Sequence, residues 1–138
     1  MKPIEVMEEV CVAVASDQDI VSARMRGRTM ALQQGFRATD ATLIATAISE
    51  LARNMLLYAK TGEIAISAIE RGDRRGISVV AQDQGPGISD AARAMEDGFS
   101  TSGRLGLGLP GVRRLMDEFD IRTSPGRGTT VTVKKWIT

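Results

Sequence analysis

The sequence predicts an α/β sandwich, with helices layered on one face of a mixed, mainly antiparallel sheet. Apolar, β-branched runs alternate with helical patterns along the chain. The links between successive strand candidates are too short for the crossover that parallel pairing needs. The 138 residues hold no internal repeat and no Pro/Gly/Ser-rich linker, so residues 1–138 read as a single domain with one core.

Residues 4–15 are apolar and β-branched and read as one or two strands. Ser16-Asp17 offers an N-cap for a helix over 18–34, which Gly35 ends. Thr39-Asp40 caps a longer helix running to about Lys60, closed by Thr61-Gly62. Two strands follow near 63–70 and 76–83, joined by a turn at Arg71-Gly72-Asp73. Residues 84–107 are rich in Gly, Ser and Asp, with one short helix expected at 89–96. Pro110 opens a helix near 110–118, where its missing amide hydrogen costs little. Ile121–Thr123 and Thr129–Trp136 form a closing hairpin around Ser124-Pro125-Gly126-Arg127-Gly128.

Composition narrows the function classes. Apolar residues make up 43% and charged residues 25%, the balance of a soluble globular domain. Eighteen basic against seventeen acidic residues leave a net charge of +1, which gives no reason to expect nucleic acid or an anionic membrane as partner. The start, MKPIEVMEEV, has no signal-peptide core, and no apolar run reaches membrane-spanning length, so a cytoplasmic protein is expected. The single Cys11 excludes an intramolecular disulfide, and Val10-Cys11-Val12-Ala13-Val14 predicts a buried structural thiol. Histidine is absent. Cysteine–histidine and serine–histidine catalytic pairs are therefore excluded, as is phosphorylation on histidine, and zinc would lack its commonest nitrogen ligand. Arg24, Arg26 and Arg28 read either as a solvated helix face or as a docking patch for an acidic protein surface.

The chemistry concentrates in four places. On the 40–60 helix, Leu43, Ile44, Ala47, Ile48, Leu51, Met55 and Tyr58 share one stripe, and Glu50 and Asn54 project from its edge. Such a pair either rims an apolar face or binds a magnesium ion, directly or through water, because hard cations prefer oxygen. Asp83-Gln84-Gly85-Pro86-Gly87 follows the strand Ile77-Ser78-Val79-Val80-Ala81. Its glycines let backbone approach a ligand, and Asp83 can accept a hydrogen bond from an exocyclic amine such as that of adenine; a plain tight turn would use the same residues. Gly103 to Gly111 precedes a helix and suits a polyphosphate. Within it Gly106 to Gly111 spells G-x-G-x-x-G, but no hydrophobic strand precedes it, so a dinucleotide fold is excluded, and no P-loop is present. Gly126-Arg127-Gly128-Thr129-Thr130 leads into the last strand.

In order, these pieces resemble the GHKL (Bergerat-fold) ATPase and kinase superfamily. Glu50 to Asn54 looks like its N box, Asp83 to Gly87 its G1 box, Gly106-Leu107-Gly108 its G2 box and Gly128-Thr129-Thr130 its last box, over about residues 40–135. Ala47-Ile48-Ser49-Glu50-Leu51-Ala52-Arg53-Asn54, Gly98-Phe99-Ser100-Thr101-Ser102 and Leu115-Met116-Asp117-Glu118-Phe119 are similar to the RsbT-type serine/threonine switch kinases, which extends the resemblance to nearly the whole chain.

The resemblance implies an ATP-dependent serine/threonine kinase that uses magnesium. Asn54 would hold the metal, with Glu50 reaching it through water. Glu50 would also orient the attacking hydroxyl or accept its proton. Asp83 would read the adenine amine, with Thr130 supporting it through water. Gly85 and Gly87 would admit the base, and Gly106 and Gly108 would meet phosphates. Ser100, Thr101 and Arg104 would lie in an ATP lid, with Arg104 on the terminal phosphate. The implied partners are STAS-domain antagonist and scaffold proteins of a stressosome, and a downstream effector such as a phosphatase. Two alternatives share the site: an anti-sigma factor with kinase activity, and a non-catalytic ATP-gated binding module.

Overall fold

The computed structural model describes residues 2–86 and 108–138. The chain runs β1 (Glu5–Val14), α1 (Asp17–Gln34), α2 (Ala38–Tyr58), β2 (Gly62–Arg71), β3 (Arg74–Asp83), α3 (Gly108–Leu115), β4 (Glu118–Ser124) and β5 (Gly128–Trp136). The strands form one sheet in the order β1-β2-β3-β5-β4, and every pairing among the described residues is antiparallel. The sandwich expected from sequence is present, without the parallel component of a mixed sheet. Its absence has a simple cause at β1. The link to β2 carries two helices instead of one, so α2 returns the chain to the end where β1 finished, and β2 must run back alongside it.

Each terminus reflects local chemistry. Ser16 is the extended N-cap of α1, and the Asp19 carboxylate accepts the Ala15 and Ser16 amides at 2.8 and 3.1 Å. Gly35 ends α1 in the left-handed region (φ 105°), and Phe36 donates back to the Ala31 carbonyl at 3.0 Å. That turn is so tight that α2 starts at once, with Arg37 as its N-cap. The expected cap, Thr39-Asp40, lies inside the first turn, where Asp40 still faces the positive end of the helix dipole.

The far end of α2 also differs from expectation. Ala59 is the C-cap, Lys60 takes the positive φ of 70°, and Gly62 already belongs to β2. A Cβ at Gly62 would meet the Met55 sulfur and lie 2.7 Å from the Gln82 carbonyl oxygen, so this glycine serves close helix–strand approach, not capping. Helix α3 spans Gly108–Leu115 rather than 110–118. The Lys135 ammonium donates to the Leu115 carbonyl at 2.9 Å, and Asp117 already bonds β5 through the Lys134 carbonyl. The short helix expected at 89–96 lies outside the described residues.

The core fills the space between the helices and one face of the sheet. Ile44, Ile48, Ile64, Ile77, Val79, Val112 and Val133 are fully buried there. Helix α2 sits centrally, packed against α1, α3 and the sheet. This three-sided cover explains why its buried set is wider than the predicted stripe. Ala41, Ala45, Ser49 and Ala52 join Ile44, Ala47, Ile48, Leu51 and Met55, while Leu43 is half-buried and Tyr58 remains 41% exposed at the last turn. Gly27 lets α1 approach: a Cβ there would run into the Ile48 side chain and lie 3.7 Å from Ile66 Cδ1.

One expectation fails outright at Cys11, which is exposed. The expected one or two strands over 4–15 are a single edge strand, Glu5–Val14, with a bulge between Val6 and Glu8, and Val12 and Val14 turn into the core. Cys11 therefore points to the opposite face. Partial desolvation, with the Glu9 and Glu63 carboxylates, holds its thiol pKa above the ordinary value, so it stays protonated at neutral pH.

Ile48 of α2 is fully buried in the core, against Gly27 of α1. Ile48→Ala is expected to lower stability by about 2–5 kcal/mol, read as a fall in the urea midpoint at unchanged slope.

Candidate nucleotide site

Two carriers of polar chemistry lie on elements that touch where α2 ends, with Gly85 after β3 against Ala59. The first is α2 itself. Glu50 and Asn54 lie four residues apart, one above the other on the helix. The Glu50 side chain is only 12% exposed, and its Oε1 accepts from Arg53 Nη1 at 2.9 Å. Arg53 is 36% exposed and spans the gap to solvent. It holds the carboxylate in one orientation while matching its charge, so Glu50 can lie in a recess without the full cost of burying a lone anion. Asn54 is half-buried beside it.

The second carrier is the exit of β3. Asp83 Oδ1 accepts the Gly85 amide at 2.9 Å, a local turn that fixes the carboxylate. Gly85 presses on the end of α2, where an added Cβ would lie 2.5 Å from Ala59 Cβ and 2.9 Å from its Cα. The β4–β5 turn closes from the other side. Gly126 donates to the Pro86 carbonyl at 2.6 Å. Gly128 (φ 89°) sits so close to β3 that a Cβ would run into the Asp83 carbonyl and lie 3.0 Å from Gln84 Cα. Space and backbone angle both demand glycine there.

The strand register separates the two candidate threonines. Asp83 pairs with Thr129, and Gln82 pairs with Thr130. Side chains alternate along β5, and Val131 and Val133 point into the core. Thr129 therefore shares the helix-side face with Asp83, while Thr130 points to the other face with Gln82. The Thr129 hydroxyl lies 2.9 Å from that of Thr123 on β4, and Thr123 also donates to the Gly128 carbonyl at 3.2 Å. Reading Thr130 as the partner of Asp83 missed this. Counting back in twos from Val131 would have found it.

Gly108 begins α3 with a φ of 63°. The nearest atom to an added Cβ is Pro110 Cδ at 3.6 Å, so the backbone angle and not crowding requires the glycine. Helix α3 packs against α2, which brings its start to the same side of the sheet. Gly87, Ser100, Thr101, Arg104 and Gly106 lie outside the described residues. Among the described residues no cluster of three or more acidic or cysteine side chains could hold a metal alone. The oxygens of Glu50 and Asn54 suit a hard cation that takes its remaining ligands from phosphates and water.

Away from this region, Arg24, Arg26 and Arg28 are all exposed on α1. Beside them Met25 and Arg26 line a groove with Val10 and Glu8 of β1. No described helix is long and apolar enough to cross a membrane.

The profile of the histidine kinase-, DNA gyrase B-, and HSP90-like ATPases fits residues 39–137. The chain is 50% identical over 130 residues to the serine/threonine-protein kinase RsbT of Bacillus subtilis (strain 168), covering 94% of this chain and 98% of that one. It is 36% identical over 100 residues to the anti-sigma F factor of Thermoanaerobacter sp. (strain X514), covering 68% of each. The anti-sigma F factor of Halalkalibacterium halodurans is 30% identical over 104 residues, covering 72% of this chain and 71% of that one. With most of its length matched by the profile and one relative similar almost from end to end, the chain belongs to the family of histidine kinase-, DNA gyrase B-, and HSP90-like ATPases.

Proposed function

We propose that the chain is a serine/threonine protein kinase of a partner switch. It would transfer the γ-phosphate of magnesium-bound ATP to a STAS-domain antagonist or scaffold protein of a stressosome in the cytoplasm, and then bind and activate an effector such as a phosphatase. The carrying observation is Glu50, recessed on α2 and clamped by Arg53, four residues before Asn54. A recessed carboxylate with its own positioning cation is more than a nucleotide binder needs. The identity to a protein named as a serine/threonine kinase, over nearly both whole chains, supports the same activity.

In this reading each residue has one task. Asp83, fixed by the Gly85 amide, accepts the adenine amine, with Thr129 beside it. Gly85 leaves the base its room, and Gly108 gives α3 a start that can turn amides toward phosphate. Bound magnesium supplies neutralisation of phosphate charge, and Asn54, with Glu50 through water, would hold it. Glu50 orients the substrate hydroxyl. The hydroxyl oxygen bonds the γ-phosphorus, the bond to the bridging oxygen breaks, ADP leaves with that electron pair, and the proton passes to Glu50. Gly87, Gly106, Ser100, Thr101 and Arg104 keep the lid and phosphate roles that the family resemblance implies.

The anti-sigma reading shares this chemistry and is favoured by the second group of relatives, but their matches cover only about two thirds of the chain. The exposed Arg24, Arg26 and Arg28 on α1 fit acidic protein partners under either reading.

Two measurements test the proposal. Glu50→Ala should reduce phosphotransfer to STAS partners by about 10²-fold or more while leaving magnesium-ATP affinity nearly unchanged; unimpaired transfer would exclude the assigned role. Thr129→Val should weaken ATP binding about tenfold, and Thr130→Val should not. The reverse order would restore Thr130 to the site.

A further inference from the structure

At the end of the sheet remote from Asp83, two arginines converge on a tryptophan without a counter-charge. Arg71 closes β2 and Arg74 opens β3, on either side of the hairpin turn. Their guanidinium carbons lie 5.1 and 5.0 Å from the centroid of the Trp136 ring. The ring itself is held in place: its Nε1 donates to the Glu118 carboxylate, its main-chain amide donates to Asp117 Oδ2 at 2.8 Å, and it lies across Gly76, where a Cβ would come within 2.8 Å of it. Trp136 is only 4% exposed. The indole face gives both cations favourable contact, but it cancels neither charge.

Two nearby carboxylates are otherwise engaged, and Asp73 in the turn forms no ion pair with either arginine. Glu70 pairs with Arg75 at 3.4 Å, and Glu118 takes the indole hydrogen. Neither Arg71 nor Arg74 has an ion pair among the described residues, and Arg71 Nε is sealed from solvent with no hydrogen-bond partner. The stem of Lys2 lies over Gly72 and adds a third cation at the same end. Like charges held together are costly unless an acceptor reaches their exposed guanidinium nitrogens.

We propose that Arg71 and Arg74, braced on Trp136, form a docking site for a carboxylate on an acidic segment of a partner protein. The planar forks match a carboxylate in bidentate geometry, and arginine on tryptophan is a pairing common at the centres of protein interfaces. Arg74 and Asp83 are the two ends of the ten-residue β3, about 30 Å apart at the usual strand rise. A partner seated here therefore leaves the nucleotide region uncovered.

Trp136 is the only tryptophan in the chain, so its fluorescence reports directly on this site. The test titrates the full chain with a short glutamate–alanine peptide lacking aromatic residues, with a glutamine–alanine peptide and inorganic phosphate as controls. A saturable change is expected with the glutamate peptide alone, weakened by salt and at least roughly tenfold weaker in Arg71→Gln/Arg74→Gln. Magnesium-ATP binding, measured on the same protein, should be unchanged. The exposed single variant Arg74→Gln provides the same comparison if the double variant fails to fold. No response, or an equal response in the variants, would overturn the proposal. So would phosphate binding as tightly as the peptide, which would make the cluster a small-anion site.

Discussion

Three backbones meet at the exit of β3 with no room for a single additional carbon. A Cβ at Gly62 would collide with α2 and β3, one at Gly85 with Ala59, and one at Gly128 with the Asp83 carbonyl. Because these positions are glycines, the end of α2, the turn after β3 and the β4–β5 hairpin can close on one another. The closure locks Asp83 through its bond to Gly85 and sets Thr129 opposite it. It also fixes how α2, which carries Glu50 and Asn54, stands over the sheet. The candidate site is thus a consequence of backbone contact and does not rely on a rim of mobile side chains.

The rest of the molecule supports that junction from behind. The α1–α2 hairpin, held at one end by Asp19 and at the other by Gly35, lays α2 along the sheet, and Gly27 lets α1 settle against Ile48. Helix α3 stops early because β5 takes its last carbonyl through Lys135. The molecule has two chemically distinct ends. Carboxylate, amide and glycine gather where β3 leaves the sheet, and arginine and tryptophan gather where it enters. Between them lies a core of aliphatic side chains, with Ser49 of α2 buried beside it and Ser67 and Ser78 paired on the opposite face of the sheet.

Much of this was legible in the sequence because it depends on local pattern. The apolar periodicity of 40–60, the glycine-rich turns and the short links gave the helices, the strands and the family resemblance. What was missed depends on parity and on long-range neighbours. The run Val10 to Val14 hid its alternation, because Ala13 and Cys11 are as apolar as the residues that face inward, and so Cys11 was misplaced. Thr129 and Thr130 are the same residue type, and only the register against Asp83 tells them apart. Thr39 and Asp40 are good capping residues, but the tight turn at Gly35 and the buried Phe36 start the helix before they are reached. Arg53 carried no signal of its own in the sequence, and only the fold shows it paired with the largely buried Glu50. The meeting of Arg71, Arg74 and Trp136 joins residues more than sixty positions apart, and no local pattern carries it.

The central claim is that the junction of α2 with the β3 exit holds the nucleotide. Backbone amide spectra recorded during a magnesium-ATP titration test it most directly. The account predicts the largest perturbations at Asn54, Asp83, Gly85 and Thr129, with Arg71, Arg74 and Trp136 at the other end unaffected. Perturbations that spared the β3 exit, or that centred on the opposite end of the sheet, would contradict it.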